Sequence, residues 1–442
     1  MRKIYSILFY IFAFLFNAQS QQVNPLIAGP LIGETTSNST RIWVAFADNK
    51  NNNVVLFNTE TKQEIKPSGS SFLQSENGEI AITYNFSNLT PSTSYEIKAA
   101  NNSNSFTNCG SVKTEPSEGY KDLNVVLGSC FLIMPENKGK WLLPGKHVKI
   151  MDYMAKDSAD FNLWLGDNIY YLFGEWSSKE KMFQRQLSVR RYNPVYNAFL
   201  KSRPNYAMWD DHDFGPNNAN TTFPLKDTAY KVFNAFWPNP KLGTEETKGV
   251  FFTLKKADCE FFLTDGRLYR EPENVTGNSM LGKAQLEWLK SALKSSNATF
   301  KFLCIGSQAM NPHTHHDSYA ADYPEEFEEL KNFIINEKIE GVILLTGDRH
   351  MTWITKNEFP GFYPLYEYMC SPVLSAMAGL DEDEEQNPNL LMFTANDYIR
   401  NYGKITVTGE PEHRRCTLEN KDENGRVIWS YTIHESELKL KQ

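Results

Sequence analysis

The chain has 442 residues, with 45 Lys and Arg against 53 Asp and Glu, so its formal net charge is −8. A chain of this length predicts two or three domains, and the negative charge argues against non-specific binding to nucleic acid, for which the sequence carries no module. Six Cys residues are too few for a fold of this size to be held together by disulfides.

Residues 1–20 have the pattern of a secretory signal peptide. Arg2 and Lys3 precede an apolar run over 4–16, and Ala18-Gln19-Ser20 supplies a small-residue cleavage site. The run is short for a bilayer span and no second long apolar stretch follows, although an uncleaved anchor stays the alternative. We therefore expect an exported chain, periplasmic or secreted, with no membrane span after cleavage.

Residues 23–118 are predicted to form a β-sandwich of the fibronectin or immunoglobulin-like type. Ile42, Val44 and Phe46 alternate with polar positions, and clusters of Asn, Ser and Gly separate the apolar runs. The segment 89–95 ends in Tyr95 and resembles the corner at which such sandwiches fix a strand with a tyrosine. Because the segment contains no cluster of acids or histidines, it is interpreted as an accessory domain that ends at a linker over 116–119.

Beyond the linker, residues 121–442 alternate between strand and helix patterns, which is typical of an α/β layered core. Strands are predicted at 123–127, 161–165, 206–209, 251–254, 261–264, 302–305 and 342–345, and helices near 146–158, 178–201, 283–293 and 324–337. The tail returns to strands, with Asn424-Gly425 as a hairpin turn. Cys259 and Cys304 lie in strand patterns and are expected in the core, whereas the pairing of Cys109, Cys370 and Cys416 stays open.

Chemistry-bearing residues follow the predicted strands. The six strand ends read Gly128-Ser129-Cys130, Gly166-Asp167-Asn168-Ile169-Tyr170, Asp210-Asp211-His212-Asp213, Asp265-Gly266-Arg267, Gly306-Ser307-Gln308 and Gly347-Asp348-Arg349-His350. Open α/β sheets bind ligands at these ends, and closely packed carboxylates repel one another unless a cation compensates them. A metal site is therefore predicted, with a helix cap and an Asn/Gly turn as the alternative for 210–218.

All of these motifs except Gly306-Ser307-Gln308 resemble those of the PhoD-like alkaline phosphatase/phosphodiesterase family of metallophosphoesterases. The likeness covers nearly all of the expected mature chain. It also includes Gly29-Pro30-Leu31-Ile32-Gly33 and Thr40-Arg41-Ile42-Trp43, which are similar to the leading sandwich domain of that family, and Arg270. The resemblance implies a four-layer αββα metallophosphatase core behind the sandwich, with a metal cluster that combines Fe³⁺ and Ca²⁺ at the strand ends.

The resemblance also implies a ligand set, in which Asp167 bridges two metals. Tyr170, Cys130 and His350 would bind iron, although a packed aromatic ring and a buried structural thiol are the alternatives for the first two. Asp211 and Asp348, with the shared Asp167, would supply oxygen ligands to calcium. Weaker candidates are Asp210 and Asn217. Related metallophosphatases with two transition metals carry an Asn and an extra His at the corresponding places. The carboxylates found here instead favour calcium over zinc or manganese, which stay the alternative metals.

Substrate-facing roles are assigned to His212 and Arg267 alongside Asp167. His212 could bind the phosphate or protonate the leaving oxygen, with a helix-capping or supporting role as the alternative. Arg267 and Arg270 could match a phosphate, or form an ion pair with Asp265, and Arg349 is a weaker candidate.

Two polar segments are expected to have no part in the site. The loop with His313, His315 and His316 is interpreted as mobile surface, although either of the last two could reach the cations or the substrate. The acidic run 381–385 is interpreted as a solvated loop, with a metal site as the alternative.

The predicted function is an exported, metal-dependent phosphatase or phosphodiesterase that hydrolyses extracellular phosphate mono- or diesters by attack of a metal-bound hydroxide. Two alternatives stay open. One is a two-transition-metal phosphodiesterase acting on nucleotides or lipids, and the other is a non-catalytic surface protein that binds a glycan and holds structural calcium. The sequence does not specify the preferred ester, the number of metals or the oligomeric state.

Overall fold

The computed structural model describes residues 26–101, 106–118, 120–134, 147–273, 275–312, 316–395 and 400–441. The predicted signal peptide lies outside these ranges. Within them, every helix is too short or too polar to cross a bilayer.

The N-terminal region is a sandwich of two four-stranded antiparallel sheets, which confirms the predicted β-sandwich. Its strands are β1 (Ala28–Thr35), β2 (Thr40–Phe46), β3 (Asn52–Asn58), β4 (Glu64–Ile65), β5 (Gly69–Gln74), β6 (Ile80–Phe86), β7 (Ser94–Asn101) and β8 (Thr107–Lys113). The sheet orders are β1-β2-β6-β5 and β4-β3-β7-β8. At the predicted corner, the Thr90 backbone N–H donates to the hydroxyl of the buried Tyr95 at 2.8 Å.

The following region contains two larger sheets. Their strands are β9 (Leu123–Gly128), β10 (Phe161–Leu165), β11 (Asn205–Met208), β12 (Phe252–Lys256), β13 (Cys259–Leu263), β14 (Phe300–Cys304), β15 (Val342–Thr346), β16 (Thr352–Asn357), β17 (Leu365–Cys370), β18 (Leu390–Thr394), β19 (Asn401–Thr408), β20 (Arg415–Asp422) and β21 (Val427–His434). One sheet has the order β11-β10-β9-β19-β20-β21 and the other β12-β13-β14-β15-β17-β16-β18. Strands β9 to β11 pair in parallel, as do β13, β14, β15 and β17.

The two sheets pack face to face, and helices accompany them. The rings of Phe161 in one sheet and Phe261 in the other meet edge to face, with their centroids 5.5 Å apart. Trp164, on the opposite face of β10, contacts Phe199, which lies in a helix. The helices are α1 (Ile150–Lys156), α2 (Lys179–Tyr192), α3 (Pro194–Leu200), α4 (Asp211–Phe214), α5 (Lys226–Phe236), α6 (Lys283–Ser295), α7 (Tyr319–Asp322), α8 (Pro324–Asn336) and α9 (Glu382–Glu385). This mixed architecture agrees with the predicted fold class.

The prediction of a single helix over 178–201 is wrong, because the segment forms the two helices α2 and α3. Asn193 between them has extended backbone angles and accepts a hydrogen bond from the Tyr196 N–H at 2.9 Å, as an N-cap does. Pro194 then occupies the first helical position, where its missing N–H does no harm, but it disfavours helical geometry at the residue before it.

The sandwich lies against the core through its first sheet. The Glu34 N–H donates to the Pro238 carbonyl at 2.9 Å, and the rings of Trp43 and Phe236 lie 5.4 Å apart. The domain boundary near 116–119 stays a prediction. Cys259 and Cys304 are buried thiols in adjacent strands, as expected, and Cys370 and Cys416 are buried thiols too. The thiol of Cys109 donates to the Thr107 carbonyl at 3.2 Å.

Candidate metal centre

The loops that follow β9, β10, β11 and β15 converge at one edge of the two packed sheets. Close backbone approach makes this possible. A Cβ atom at Gly347 would lie 2.7 Å from the Ser129 hydroxyl oxygen, and one at Gly166, whose φ is +97°, would lie 2.7 Å from the Asp210 Cβ. Only glycine fits at both positions, so the Gly that precedes each acid brings the strand ends together.

Four of the predicted ligands form one continuous group. The Tyr170 hydroxyl donates to Asp167 Oδ2 at 2.8 Å and lies 3.3 Å from His350 Nε2. Cys130 Sγ lies 3.6 Å from the same Asp167 oxygen. One carboxylate oxygen therefore has a thiol and a phenol within hydrogen-bonding distance, and an imidazole stands behind the phenol. A thiolate, a phenolate and an imidazole around one carboxylate are a donor set suited to a transition metal.

The second group consists of carboxylates. Ligand oxygens of Asp210, Asp211 and Asp348 all lie within 4.8 Å of one another, and atoms of Asp167, Asp211 and His212 form a further set of the same size. Asp210 Oδ2 and Asp211 Oδ1 are buried and have no hydrogen-bond partner among the described residues. Buried carboxylate oxygens normally find a donor, so these orphaned atoms fit a hard cation, which prefers oxygen ligands.

The backbone is strained at the same residues. The φ values are 60° at Cys130, 53° at Asp167, 71° at Asp348 and 59° at His350. They lie in the left-handed region, which residues other than Gly seldom adopt. Each such residue costs about 1–3 kcal/mol and persists where the surroundings hold it, which is typical of functional sites. Here the Phe131 N–H donates to the Asp167 carbonyl at 2.8 Å and joins two of these turns.

Without a bound cation, the surroundings of Asp167, Asp348 and Cys130 disfavour their ionised forms. Burial raises the pKa of Asp167 well above its ordinary value, and the charges of Asp211, Asp210 and Asp348 raise it further. Burial and the neighbouring carboxylates act in the same way on Asp348 and on the Cys130 thiol. A bound cation would reverse this effect by favouring the ionised forms. Burial lowers the pKa of His350 to about 4, so its imidazole is neutral and can act as a ligand.

The two arginines are paired differently from the expected alternative. Arg267 Nε donates to Asp210 Oδ1 and Arg267 Nη2 lies 2.8 Å from Asp317 Oδ2, while Arg270 Nη2 lies 2.8 Å from the other Asp317 oxygen. The alternative prediction, an ion pair of these arginines with Asp265, is therefore wrong. The Asp265 carboxylate instead accepts the backbone N–H of Arg267 at 3.0 Å and the indole N–H of Trp209 at 2.7 Å.

Sequence analysis missed three side chains of this centre. Asp317 bridges both arginines, the Ser371 hydroxyl lies 3.1 Å from Cys130 Sγ, and the Ser375 hydroxyl lies 3.2 Å from that of Tyr170. Asp317 follows the His-rich loop and has a left-handed backbone (φ 46°), but its sequence context carries no sign of its partners. The serines follow the unpredicted strand β17, so recognising that strand would have directed attention to them.

His212 lies at the solvent side of the cluster. Its ring stacks on Tyr170 with centroids 4.1 Å apart, its backbone N–H donates to Asp167 Oδ1 at 3.2 Å, and its side chain is 23% exposed. The start of α4 is capped instead by Asp213, whose Oδ2 accepts the Asp210 backbone N–H at 3.2 Å. Asp213 also accepts the backbone N–H groups of Asn168 and Ile169. The predicted helix cap is therefore present in this motif, whereas its metal-binding role stays a prediction.

Three further predicted residues lie apart from the cluster. Asn217 is exposed, and its amide donates to Asn218 Oδ1 at 2.6 Å. Arg349 Nη2 lies 2.8 Å from Glu384 Oε2, which is buried, so the prediction that the whole run 381–385 is solvated is wrong. His316 Nε2 lies 2.9 Å from Asp381, while His313 and His315 fall outside the described residues.

The chain is similar to known phosphatases. A family model described as PhoD-like phosphatase matches residues 139–418. Alkaline phosphatase D of Bacillus subtilis (strain 168) is 28% identical, over 58% of this chain and 54% of that protein, so the chain spans about half the length of this curated relative.

Two solved structures share the fold. A structure described as that of PhoD has a TM-score of 0.69 at 20% identity, and the match covers 92% of this chain and 93% of that one. A purple acid phosphatase from yellow lupin (Lupinus luteus) seeds has a TM-score of 0.64 at 14% identity, over 93% of this chain and 75% of that one. At these identities the likeness establishes the fold alone.

Proposed function

The chain belongs to the PhoD-like phosphatase family, and from this premise we propose that it is a metal-dependent hydrolase of phosphate mono- or diesters. The observation that carries the proposal is the arrangement around Asp167. One of its oxygens meets Tyr170 at 2.8 Å and Cys130 at 3.6 Å, and Asp167 also forms a ligand set with Asp211 and His212. Asp211 belongs in turn to the carboxylate set of Asp210, Asp211 and Asp348. A bridging carboxylate between a mixed thiol, phenol and imidazole set and an oxygen set suits two unlike cations.

The donor chemistry assigns a cation to each side. Cys130, Tyr170, His350 and Asp167 would hold Fe³⁺, and Asp167, Asp211 and Asp348 would hold Ca²⁺, with Asp210 close by. When bound, such cations lower the pKa of water and offset the negative charge of a phosphoryl group. The protein then contributes chiefly by positioning, since phosphoryl transfer needs little covalent participation from side chains.

The roles of His212 and Arg267 follow from their exposure. The partly exposed His212 imidazole, beside Asp211, would bind a phosphoryl oxygen or give a proton to the leaving oxygen. Arg267 is fully buried and holds Asp210 on one side and Asp317 on the other. It would therefore orient the ligand carboxylates, and we assign it a positioning role in place of the direct phosphate contact.

The setting of the reaction follows from the N-terminal sequence. The signal-peptide pattern of residues 1–20 supports export to the periplasm or beyond, and hence extracellular esters as substrates. The sandwich predicted over 23–118 would serve as an accessory domain. Fractionation of expressing cells tests this part, because retention of the full-length chain in the cytoplasm contradicts it.

The central experiment combines turnover with elemental analysis. A chromogenic phosphomonoester and a chromogenic phosphodiester are assayed across pH 5–10, before and after treatment with a chelator and after metals are restored. We expect turnover that the chelator abolishes, and iron and calcium in protein purified without a chelating resin. Zinc or manganese alone would favour the two-transition-metal phosphodiesterase, and a lack of turnover with metals restored would favour the non-catalytic binding protein.

A further inference from the structure

A strained and exposed aromatic residue follows the candidate metal centre. Phe173 is 69% exposed, and its φ of 51° lies in the left-handed region. A bulky residue is rare there, and Gly or Asn would make such a turn without strain. Burying an aromatic ring is favourable, so this position carries two unfavourable features together. Costs of this kind persist where a function requires them.

The loop that carries Phe173 is held firmly from inside. The Leu172 N–H donates to Glu175 Oε2 at 2.8 Å, and the Glu175 N–H donates to the Leu172 carbonyl at 2.9 Å. Arg185, which is buried, donates from Nε to the Tyr170 carbonyl at 2.8 Å and lies 3.5 Å from Glu175. These bonds fix the backbone on both sides of Phe173, so its ring is presented to solvent by a rigid turn.

The position of this turn places the Phe173 backbone close to the cluster. Phe173 lies three residues after Tyr170, so their Cα atoms are at most about 11 Å apart. The Tyr171 N–H donates to the His212 carbonyl at 3.3 Å, which ties the same turn to a residue whose side chain is 23% exposed. A substrate whose phosphate reaches the cluster would therefore extend its organic group towards Phe173.

We propose that Phe173 is a specificity-determining residue that stacks on an aromatic group of the substrate. This inference rests on the proposed function, since it assigns the preferred substrate class of the same site: phosphate or phosphonate compounds whose organic part is an aromatic ring. A ring face contributes about 0.5–1.5 kcal/mol to a stacked pair, or roughly twofold to tenfold in affinity.

Calorimetric titration with two phosphonates tests the inference on the metal-loaded, full-length mature protein. Phenylphosphonate and methylphosphonate carry the same anionic group, so the ratio of their Kd values isolates the contribution of the ring. We expect wild type to bind phenylphosphonate roughly twofold to tenfold more tightly. Phe173→Ala and Phe173→Gly should bring the ratio close to one, whereas Phe173→Tyr should retain it.

The variants separate the role of the ring from that of the backbone. Phe173→Gly relieves the left-handed strain while Phe173→Ala retains it, so a loss in both variants is due to the missing ring. Tyr192→Ala is the matched control, because Tyr192 is 63% exposed and ends α2, a helix about 20 Å long that begins six residues after Phe173. We expect Tyr192→Ala to leave the Kd ratio unchanged.

The outcomes are distinct from those that test the proposed function. If wild type binds both phosphonates equally, or if Phe173→Ala and Phe173→Gly keep the preference, the inference is overturned. If wild type with metals restored hydrolyses neither chromogenic ester, the proposed function fails, and the Kd ratio still shows whether Phe173 selects aromatic anions.

Discussion

Two arginines with fully buried side chains, Arg190 and Arg267, lie in opposite surroundings. The Arg190 guanidinium, where the sandwich meets the core, lies 5.3 Å from the Trp43 ring centroid and 5.0 Å from that of Trp237, and it donates to the Gln186 side-chain oxygen at 2.7 Å. Arg267 instead lies among Asp210, Asp317 and Asp211. The same cation is balanced by ring faces and carbonyl oxygens in one region and by carboxylates in the other.

The difference concerns whether the protein balances its own charge. Around Arg267, the five carboxylates of Asp167, Asp210, Asp211, Asp317 and Asp348 face the two guanidinium groups of Arg267 and Arg270, which leaves a surplus of three negative charges when all are ionised. Buried charge of one sign is strongly unfavourable without compensation. The single cation of Arg190 is solvated by ring faces and carbonyl oxygens of the protein, whereas Asp167 and Asp348 require further cations to be ionised.

The largest effect should follow from removing the Asp167 carboxylate, which we propose to be shared by both metal sites. Asp167→Asn keeps the shape of the side chain but loses a charge and an anionic ligand, and metal ions contribute several kcal/mol to such reactions. We expect turnover of the chromogenic ester to fall on the order of a thousandfold, with loss of iron and calcium in elemental analysis.

Glu367→Gln is the matched control for Asp167→Asn. Glu367 is equally buried, but the N–H groups of Ala309 and Met310 and the Thr346 hydroxyl satisfy its oxygens. We expect this variant to lose stability while its metal content stays at the wild-type value. Equal metal loss in both variants would show that metal is lost when any buried acid is changed, and that the loss in Asp167→Asn is not specific to the cluster.

An intermediate effect is expected at Asp317, which sequence analysis missed. Asp317→Asn weakens the bridge to Arg267 and Arg270 and so loosens the orientation of Asp210. Residues that orient metal ligands typically change affinity or activity about tenfold to a hundredfold, and we expect a fall of that size in kcat/KM together with weaker calcium retention. Glu273→Gln is the control, since the more exposed Glu273 lies 3.5 Å from the same Arg270. Unchanged kinetics in Asp317→Asn would remove Asp317 from the site.

The strands that frame both regions were largely predictable because buried strands are continuous apolar runs. The strand over 161–165 was predicted with its observed bounds, and the hairpin at Asn424-Gly425 joins β20 to β21 as expected. Strand β17 was missed because Glu367 interrupts its apolar pattern, although all six of its residues are buried. The compensating donors of Glu367 come from loops and strands far along the chain, so no local pattern reveals that the charge is satisfied.

The site was predictable where topology alone brings residues together. Cys130, Asp167, Asp211, Asp348 and His350 each follow a strand, and parallel strands end at a common edge. The ion pairs that Arg267 and Arg270 form with Asp317 were not predictable. Asp317 lies 50 and 47 residues away from them and reaches them from a loop. Side-chain pairing between loops depends on tertiary packing, which local sequence patterns do not encode.

Changing Arg190, which lies where the sandwich meets the core, should have a smaller effect on stability and none on metal content. Arg190→Met retains most of the side-chain volume but removes the cation from the aromatic rings and leaves the Gln186 and Phe236 carbonyls without this donor. We expect the free energy of unfolding to fall by roughly 2 kcal/mol, measured as a lower Tm in the presence and in the absence of chelator. A shift of Tm that depends on the chelator would contradict the separation of the two regions.

The smallest effect concerns Asp157, whose charge is balanced by the protein's own cations. Its carboxylate lies 2.7 Å from Lys404 Nζ, contacts Lys421, and accepts from the Tyr402 hydroxyl at 3.0 Å. Burial raises the pKa of Asp157, but the hydrogen bonds and charges of both lysines outweigh it, so the pKa lies below its ordinary value. A carboxyl group with a lowered folded pKa stabilises fully above the unfolded value of about 3.9 and loses that contribution as pH falls through the folded pKa.

Asp157→Asn should therefore lower stability by about 1 kcal/mol at pH 7, and its difference from wild type should shrink progressively below about pH 4. Thermal unfolding of both proteins between pH 3 and pH 7, with chelator present throughout, measures this difference free of metal release. Glu358→Gln is the control, because Glu358 is 74% exposed beside Lys356 and water already screens that pair. A difference that persists unchanged at pH 3 would mean that Asp157 stabilises the protein through packing and not through the charge of its carboxylate.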